Sequence, residues 1–252
     1  MNWGGKSKNG WKLRTLLASH ILVQNKDMIT EFFPGKKNVS LVPRGVDTEE
    51  FSPKPKNRKL LKEYRIRKDE KVILAVANLV PVKGIEILLD AFELLSEKHN
   101  SIRLFIVGDK ENDYGRKMEA KTIQSPCSAR IHFTGKVQNV SDYYSISDVF
   151  VLPTLDEGRR EGCPVSLLEA MASGLPVVAS DIPGVKDILY SFPEHMFEAG
   201  NAVHLINKIN EYFQINSEKT VGKVFRNFIK KKYSIDREVY QHIKIYKKLF
   251  IS

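Results

Sequence analysis

Seven short apolar runs, rich in β-branched residues, alternate along this chain with segments that repeat at helical spacing. The runs are Ile21–Val23, Val39–Val42, Val72–Val76, Arg103–Val107, Ile131–Thr134, Val149–Leu152 and Pro176–Ala179. Strands that stay apolar on both faces belong to a parallel sheet buried from both sides. The intervening helical segments supply the crossovers such a sheet requires. The clearest is 84–99, where Ile85, Leu88, Leu89, Phe92 and Leu95 fall on one stripe with Glu93, Glu97 and Lys98 off it. Further helices are expected at Lys26–Phe33, Val140–Ile146, Pro164–Ala172, Val185–Leu189, Ala202–Phe213 and Ile235–Phe250. The predicted fold class is α/β, a parallel sheet with helices on both faces. Ligands in such sheets sit at the carboxyl ends of the strands. Pro81–Gly84, Gly108-Asp109, Gly135 and the segment 156–163 all follow strands.

At 252 residues the chain has room for one large domain. No apolar run approaches the ~20 residues of a membrane helix. The polar first ten residues lack the apolar centre of a secretory signal. Two cysteines, Cys127 and Cys163, are too few for a disulfide framework and suit a reducing cytoplasm. Cys163 is expected to fill a tight turn.

The net charge of +10 is uneven. Residues 1–72 hold 17 Lys/Arg against 8 Asp/Glu, and 221–252 hold 9 against 2, whereas 73–220 hold 14 against 20. No helix-turn-helix, zinc-finger or RNP pattern accompanies the basic ends, so nucleic acid is not an expected partner. Lys230, Lys231, Lys232, Lys244, Lys247 and Lys248 could instead attract anionic lipid headgroups, which makes an anionic membrane surface a second candidate partner. The competing reading is a solvated basic face.

The segment Glu161-Gly162-Cys163-Pro164-Val165-Ser166-Leu167-Leu168-Glu169 combines a turn with the start of a helix. A helix N-terminus offers free N–H groups and a partial positive charge, which suits a phosphate. Glu169 lies about two turns further along and could accept hydrogen bonds from sugar hydroxyls. These nine residues resemble the E-x7-E motif of family 4 glycosyltransferases, retaining enzymes of the GT-B fold. Further segments similar to that family stand in order: Leu41–Asp47 with Phe51 and Pro53, Leu79–Gly84, Phe105–Asp109, Phe133–Val137 and Asp148–Pro153. The resemblance runs from about His20 to near the C-terminus.

The resemblance implies a Rossmann-like donor-binding domain and a nucleotide-sugar such as UDP- or GDP-hexose, with no metal and no further cofactor. It implies that Lys83 neutralises phosphate, helped by backbone N–H groups of Cys163, Val165 and Ser166, with Gly162 beside them in the donor-binding turn. Glu161 would bind the donor sugar and stabilise its developing charge, as a catalytic residue with Lys83. Glu169 would bind the ribose. Gly84 and Gly108 would line the site, and backbone near Val137 would meet the base. The family's usual diphosphate pair is an Arg before Leu plus this Lys; here Asn78 stands in the Arg position, and Arg159 or Arg160 would compensate.

The expected organisation is a remnant of an acceptor-binding domain over 1–46, a linker over 47–71, the nucleotide-sugar domain over 72–220 and a basic helical segment over 221–252. Residues 20–46 resemble only the last strand–helix–strand of that first domain, which leaves Ile21, Leu22, Val23, Phe32, Phe33, Leu41 and Val42 without their usual neighbours and predicts association or local disorder. Two explanations stand side by side: a truncated gene, or a split enzyme whose partner chain supplies the acceptor half. The function expected is transfer of a hexose, with retention, to a glycan or lipid-linked acceptor in polysaccharide biosynthesis, at a cytoplasmic and peripherally membrane-associated location. The alternative is a non-catalytic nucleotide-sugar-binding or regulatory subunit, or a truncated remnant.

Overall fold

The computed structural model describes residues 10, 13–157, 161–214 and 218–251. The chain enters through a small parallel pair, β1 (Ile21–Val23) and β2 (Val39–Leu41), joined by helix α1 (Lys26–Phe32). Asn25 starts α1, its side-chain oxygen accepting from Met28 N at 2.9 Å. Ile21, Val23 and Phe33 form a small core beneath this pair, and Val42 is buried beside it, so these side chains are packed rather than disordered.

The principal sheet has six parallel strands: β3 (Lys71–Val76), β4 (Ile102–Val107), β5 (Ile131–Gly135), β6 (Val149–Leu152), β7 (Val177–Ser180) and β8 (Met196–Phe197). Their order across the sheet is β5-β4-β3-β6-β7-β8. This is the Rossmann order, and the direction of winding reverses between β3 and β6. Along β3 the side chains alternate between two cores: Val72 and Leu74 enter one, Ile73 and Ala75 the other. Because both faces are covered, no polar alternation survives in the strand sequence.

One face is covered by α3 (Ile85–Lys98) and α8 (Ala202–Gln214), through Leu88, Phe92, Leu205 and Ile209. Two further helices lie on the other face, α5 (Val140–Ile146) and α6 (Val165–Ala172), bringing Tyr144, Leu167 and Met171. Burying each large side chain stabilises the fold by roughly 1.5–3 kcal/mol.

Four elements go beyond the sequence reading. A short helix α2 (Arg58–Glu63) stands inside the expected linker and buries Leu60 in the core. Helix α4 (Asp113–Ile123) covers the β4–β5 connection, and β8 adds an edge strand. Helix α9 (Glu218–Lys232) sets Phe225 and Ile229 fully buried against the α6 side of the sheet. The expected boundary after residue 220 therefore falls within a core helix. After α7 (Val185–Ile188) and α9, the chain closes with α10 (Ile235–Ile251). That helix returns to the N-terminal pair: Val46 bridges Ser234, and Glu238 accepts from Gly45 N at 2.6 Å.

Candidate donor site at the switch point of the sheet

The loop after β3 and the loop after β6 meet where the strand order reverses. Leu155 N donates to Val82 O at 2.8 Å, tying the two loops together. Gly84 makes the contact close. Its φ is 65°, and a Cβ there would lie 1.9 Å from the Pro153 carbonyl oxygen. Only glycine lets the chain turn in this way and enter α3 directly.

The turn Pro81–Lys83 presents the Lys83 ammonium, and the loop after β6 presents the Glu161 carboxylate. The two form an ion pair, each four-fifths buried (20% and 16% exposed). Thus the two residues given catalytic roles from sequence, 78 positions apart, are brought into contact.

Glu161 leads into α6. Pro164 precedes that helix with no side-chain cap, so the N–H groups of Val165 and Ser166 in its first turn have no intrahelical partner. Cys163 is 8% exposed, and burial pushes its thiol up to about 12, leaving it protonated and unreactive at neutral pH. This fits the role of filling a tight turn.

Glu169 does not join the Lys83–Glu161 pair. Its carboxylate accepts from Tyr144 Oη at 2.8 Å, and the same hydroxyl lies 3.2 Å from the Ser166 carbonyl. Burial raises the Glu169 carboxyl above its ordinary range, against the lowering effect of the Tyr144 hydrogen bond. Asn78 is exposed after β3. Gly108 follows β4, donating from its N to Gly135 O at 3.1 Å, and half-buried Val137 follows β5. All lie past the carboxyl ends of parallel strands and hence on one edge of the sheet. Arg159 and Arg160 lie outside the described residues.

Sequence reasoning did not find three contributors. Asn25 Nδ2 donates to the carbonyls of both Glu161 (3.2 Å) and Gly162 (2.9 Å), so the N-terminal unit holds the motif turn from outside. Gly184 packs behind the same turn; a Cβ there would lie 2.7 Å from Glu161 O. Tyr144 orients Glu169. Each acts through contacts distant in sequence, and only the position of Asn25 just before a helix was visible as a signal.

Comparison with known proteins bears on this geometry. Residues 56–231 match the family model described as glycosyl transferases group 1. The chain belongs to that family. An uncharacterized glycosyltransferase of Haemophilus influenzae is 35% identical over 134 residues, covering 53% of this chain and 36% of that protein. The lipopolysaccharide 1,2-N-acetylglucosaminetransferase of Salmonella typhimurium is 28% identical over 208 residues, covering 78% and 53%. This group 1 glycosyltransferase chain thus aligns with about a third to a half of the length of such relatives. Among solved structures, Anabaena HepE in complex with UDP and glucose superposes with a TM-score of 0.85 at 19% identity, covering 96% of this chain and 68% of that one. A Rickettsia africae glycosyltransferase superposes at 0.84 and 18% identity, covering 99% and 68%. The fold is that of GT-B glycosyltransferases.

Proposed function

We propose that this chain is the donor-binding half of a retaining hexosyltransferase that takes a UDP- or GDP-hexose without a metal. The observation that carries the reading is the Lys83–Glu161 ion pair, set at the switch point beside an uncapped helix start. An arriving diphosphate would take the Lys83 ammonium, helped by the N–H groups of Val165 and Ser166. Glu161 would then be released to accept from sugar hydroxyls and to stabilise positive charge at the anomeric carbon. There the bond to the diphosphate oxygen breaks, its electron pair leaving with the diphosphate, and a bond to the acceptor hydroxyl oxygen forms on the same face while that hydroxyl's proton passes to the departing diphosphate oxygen. Glu169, held by Tyr144, would receive the ribose hydroxyls.

Relatives support a nucleotide-sugar donor. One from Mycobacterium tuberculosis is named as a GDP-mannose-dependent mannosyltransferase, and HepE was solved with UDP-glucose. A glycan or lipid-linked acceptor would be bound by further polypeptide extending the β1–β2 sheet. Two parallel strands make a sheet too small to stand alone.

A second reading, a nucleotide-sugar-binding subunit without transfer activity, is favoured by the uncharged Asn78 at the exposed mouth of the site. Thermal-shift titration with UDP, GDP, ADP and their sugar conjugates tests both readings. One nucleotide is expected to raise the melting temperature. Glu169→Ala should weaken the nucleotide shift, and Glu161→Ala should weaken chiefly the increment due to the sugar. Unchanged affinity for nucleotide and nucleotide-sugar in both variants would sink the assignment. Binding without transfer, when acceptor-binding polypeptide is supplied, would favour the second reading.

A further inference from the structure

The chain between Val46 and α2 is tied to the principal sheet by contacts that the Lys83–Glu161 pair does not use. Asp47 Oδ1 accepts from Glu49 N at 2.9 Å and Glu50 N at 3.0 Å, and Phe51 N donates to Asp47 O at 3.0 Å, closing a turn over 47–51. Arg226, half-buried on α9, fixes that turn to α6. Its guanidinium donates to the carbonyls of Phe51 (3.1 Å), Thr48 (3.1 Å) and Ala172 (2.8 Å), the last being the closing residue of α6. Pro53 lies against Gly174 just past the same helix, where a Cβ would stand 3.1 Å from the proline ring. A rigid fork shared by three carbonyls sets two backbone segments in one relative position.

The clamped turn leads to Glu169. The Phe51 ring meets the Tyr144 ring at a centroid distance of 5.9 Å and an interplanar angle of 81°, the edge-on packing that aromatic pairs favour. Tyr144 is fully buried, and its hydroxyl has two acceptors within reach, the Glu169 carboxylate at 2.8 Å and the Ser166 carbonyl at 3.2 Å. A hydroxyl has a single proton to donate, so the placement of the ring decides how far it serves Glu169. Burial raises the Glu169 carboxyl, the Tyr144 hydrogen bond lowers it, and the charge of Glu50, carried on the same turn, raises it again. The other charged groups on this side of α6 are engaged elsewhere. Lys54 donates to Ser141 Oγ at 2.9 Å, Lys230 pairs with Glu49 at 3.5 Å, and Arg226 is committed to its carbonyls. Tyr144 is thus the group that favours an ionised, fixed Glu169, and Phe51 is the side chain of the clamped turn that bears on it.

We propose that Phe51, held in place by Arg226, is a positioning residue of the donor site: through Tyr144 it aims the Glu169 carboxylate at the ribose hydroxyls of the nucleotide. The inference rests on the ribose role given to Glu169 above. The test is calorimetric titration of the whole chain with UDP and GDP and with their 2′-deoxy and 3′-deoxy analogues. The parent should prefer the ribonucleotide by about tenfold, as for one hydrogen bond to a carboxylate. Phe51→Leu and Tyr144→Phe should each cut that preference to about threefold or less, and Phe51→Leu/Tyr144→Phe should cut it no further than either alone, because both act on one contact. Phe51→Tyr, which keeps the ring, should retain the preference. In Phe51→Leu and Tyr144→Phe the ribonucleotide affinity should also fall off at a higher pH than in the parent, since the lost hydrogen bond favoured the charged carboxylate. If Phe51→Leu fails to fold, Arg226→Lys serves: it keeps the charge but loses the fork, and should lower the preference in the same direction. A parent that binds no nucleotide, or binds ribose and deoxyribose forms equally, would overturn the donor-site reading and this inference with it. A parent that discriminates, beside folded variants that discriminate equally well with an unmoved pH profile, would overturn this inference alone and leave Phe51 a packing residue.

Discussion

Gly84 shows how much one residue decides here. Its backbone is left-handed and lies against Pro153, and it directly follows Lys83. Gly84→Ala should cost on the order of 3 kcal/mol, because the added methyl must push the β6 loop away while the backbone stays strained. Thermal denaturation should show the loss, and nucleotide affinity should fall with it; an unperturbed variant would mean that the loops are not in contact. His132 makes a second case. It sits among Phe105, Tyr64 and Arg103, and burial, with the Arg103 charge, lowers it to about 4. The folded state keeps His132 neutral, whereas the unfolded chain protonates it below its ordinary value near 6.5. Its contribution to stability is therefore full above pH 6.5 and is lost as the pH falls toward 4. Denaturant titrations at stepped pH should show His132→Gln with a shallower decline than the parent over that interval; parallel curves would contradict the buried neutral imidazole. Tyr64, His132 and Tyr144 look unremarkable in the sequence, since their neighbours come from other elements.

At the scale of elements, the core strands and α3 were legible because their residues are apolar through and through or fall on one stripe. Helix α4 was not, since only Gly115, Met118 and Thr122 of its eleven residues are buried. Its pattern is too polar to stand out. Helix α9 did carry a signal, Val221, Phe225, Phe228 and Ile229 at helical spacing, hidden among its lysines. Helix α10 depends on Glu238, which is 9% exposed and satisfies Gly45 N and Arg44. Glu238→Ala leaves that N–H without its acceptor and should cost about 1–3 kcal/mol. Because these contacts are confined to α10 and the Arg44–Val46 segment, hydrogen exchange should quicken over α10 and the Val46 bridge first. Uniform quickening across β3 and β6 would show that α10 is part of the main cooperative unit instead.

At the scale of the whole molecule, the N-terminal unit and the Rossmann-like sheet share the candidate site. Asn25 reaches the motif turn across 136 positions of sequence. Asn25→Asp keeps the oxygen that starts α1 but loses the N–H donor and sets a carboxylate against two carbonyls. Donor affinity should fall by about tenfold, comparable to one lost hydrogen bond. Calorimetric titration with the preferred nucleotide-sugar checks this; full affinity would show that the N-terminal unit has no part in shaping the site. The same folding-back explains why the expected linker and basic tail are not separate in space. Leu60 from one and Phe225 from the other enter the same core.

The sequence by itself determined the parallel α/β sheet, because strands buried on both faces must be apolar throughout. It also located the motif residues, because glycine turns and carboxylates at fixed spacing are local features. Only the tertiary structure decided that Lys83 meets Glu161, that Tyr144 takes Glu169, and that Asn25 supports the turn between them. Those contacts depend on strand order and on the return of the chain ends, which no window of neighbouring residues encodes.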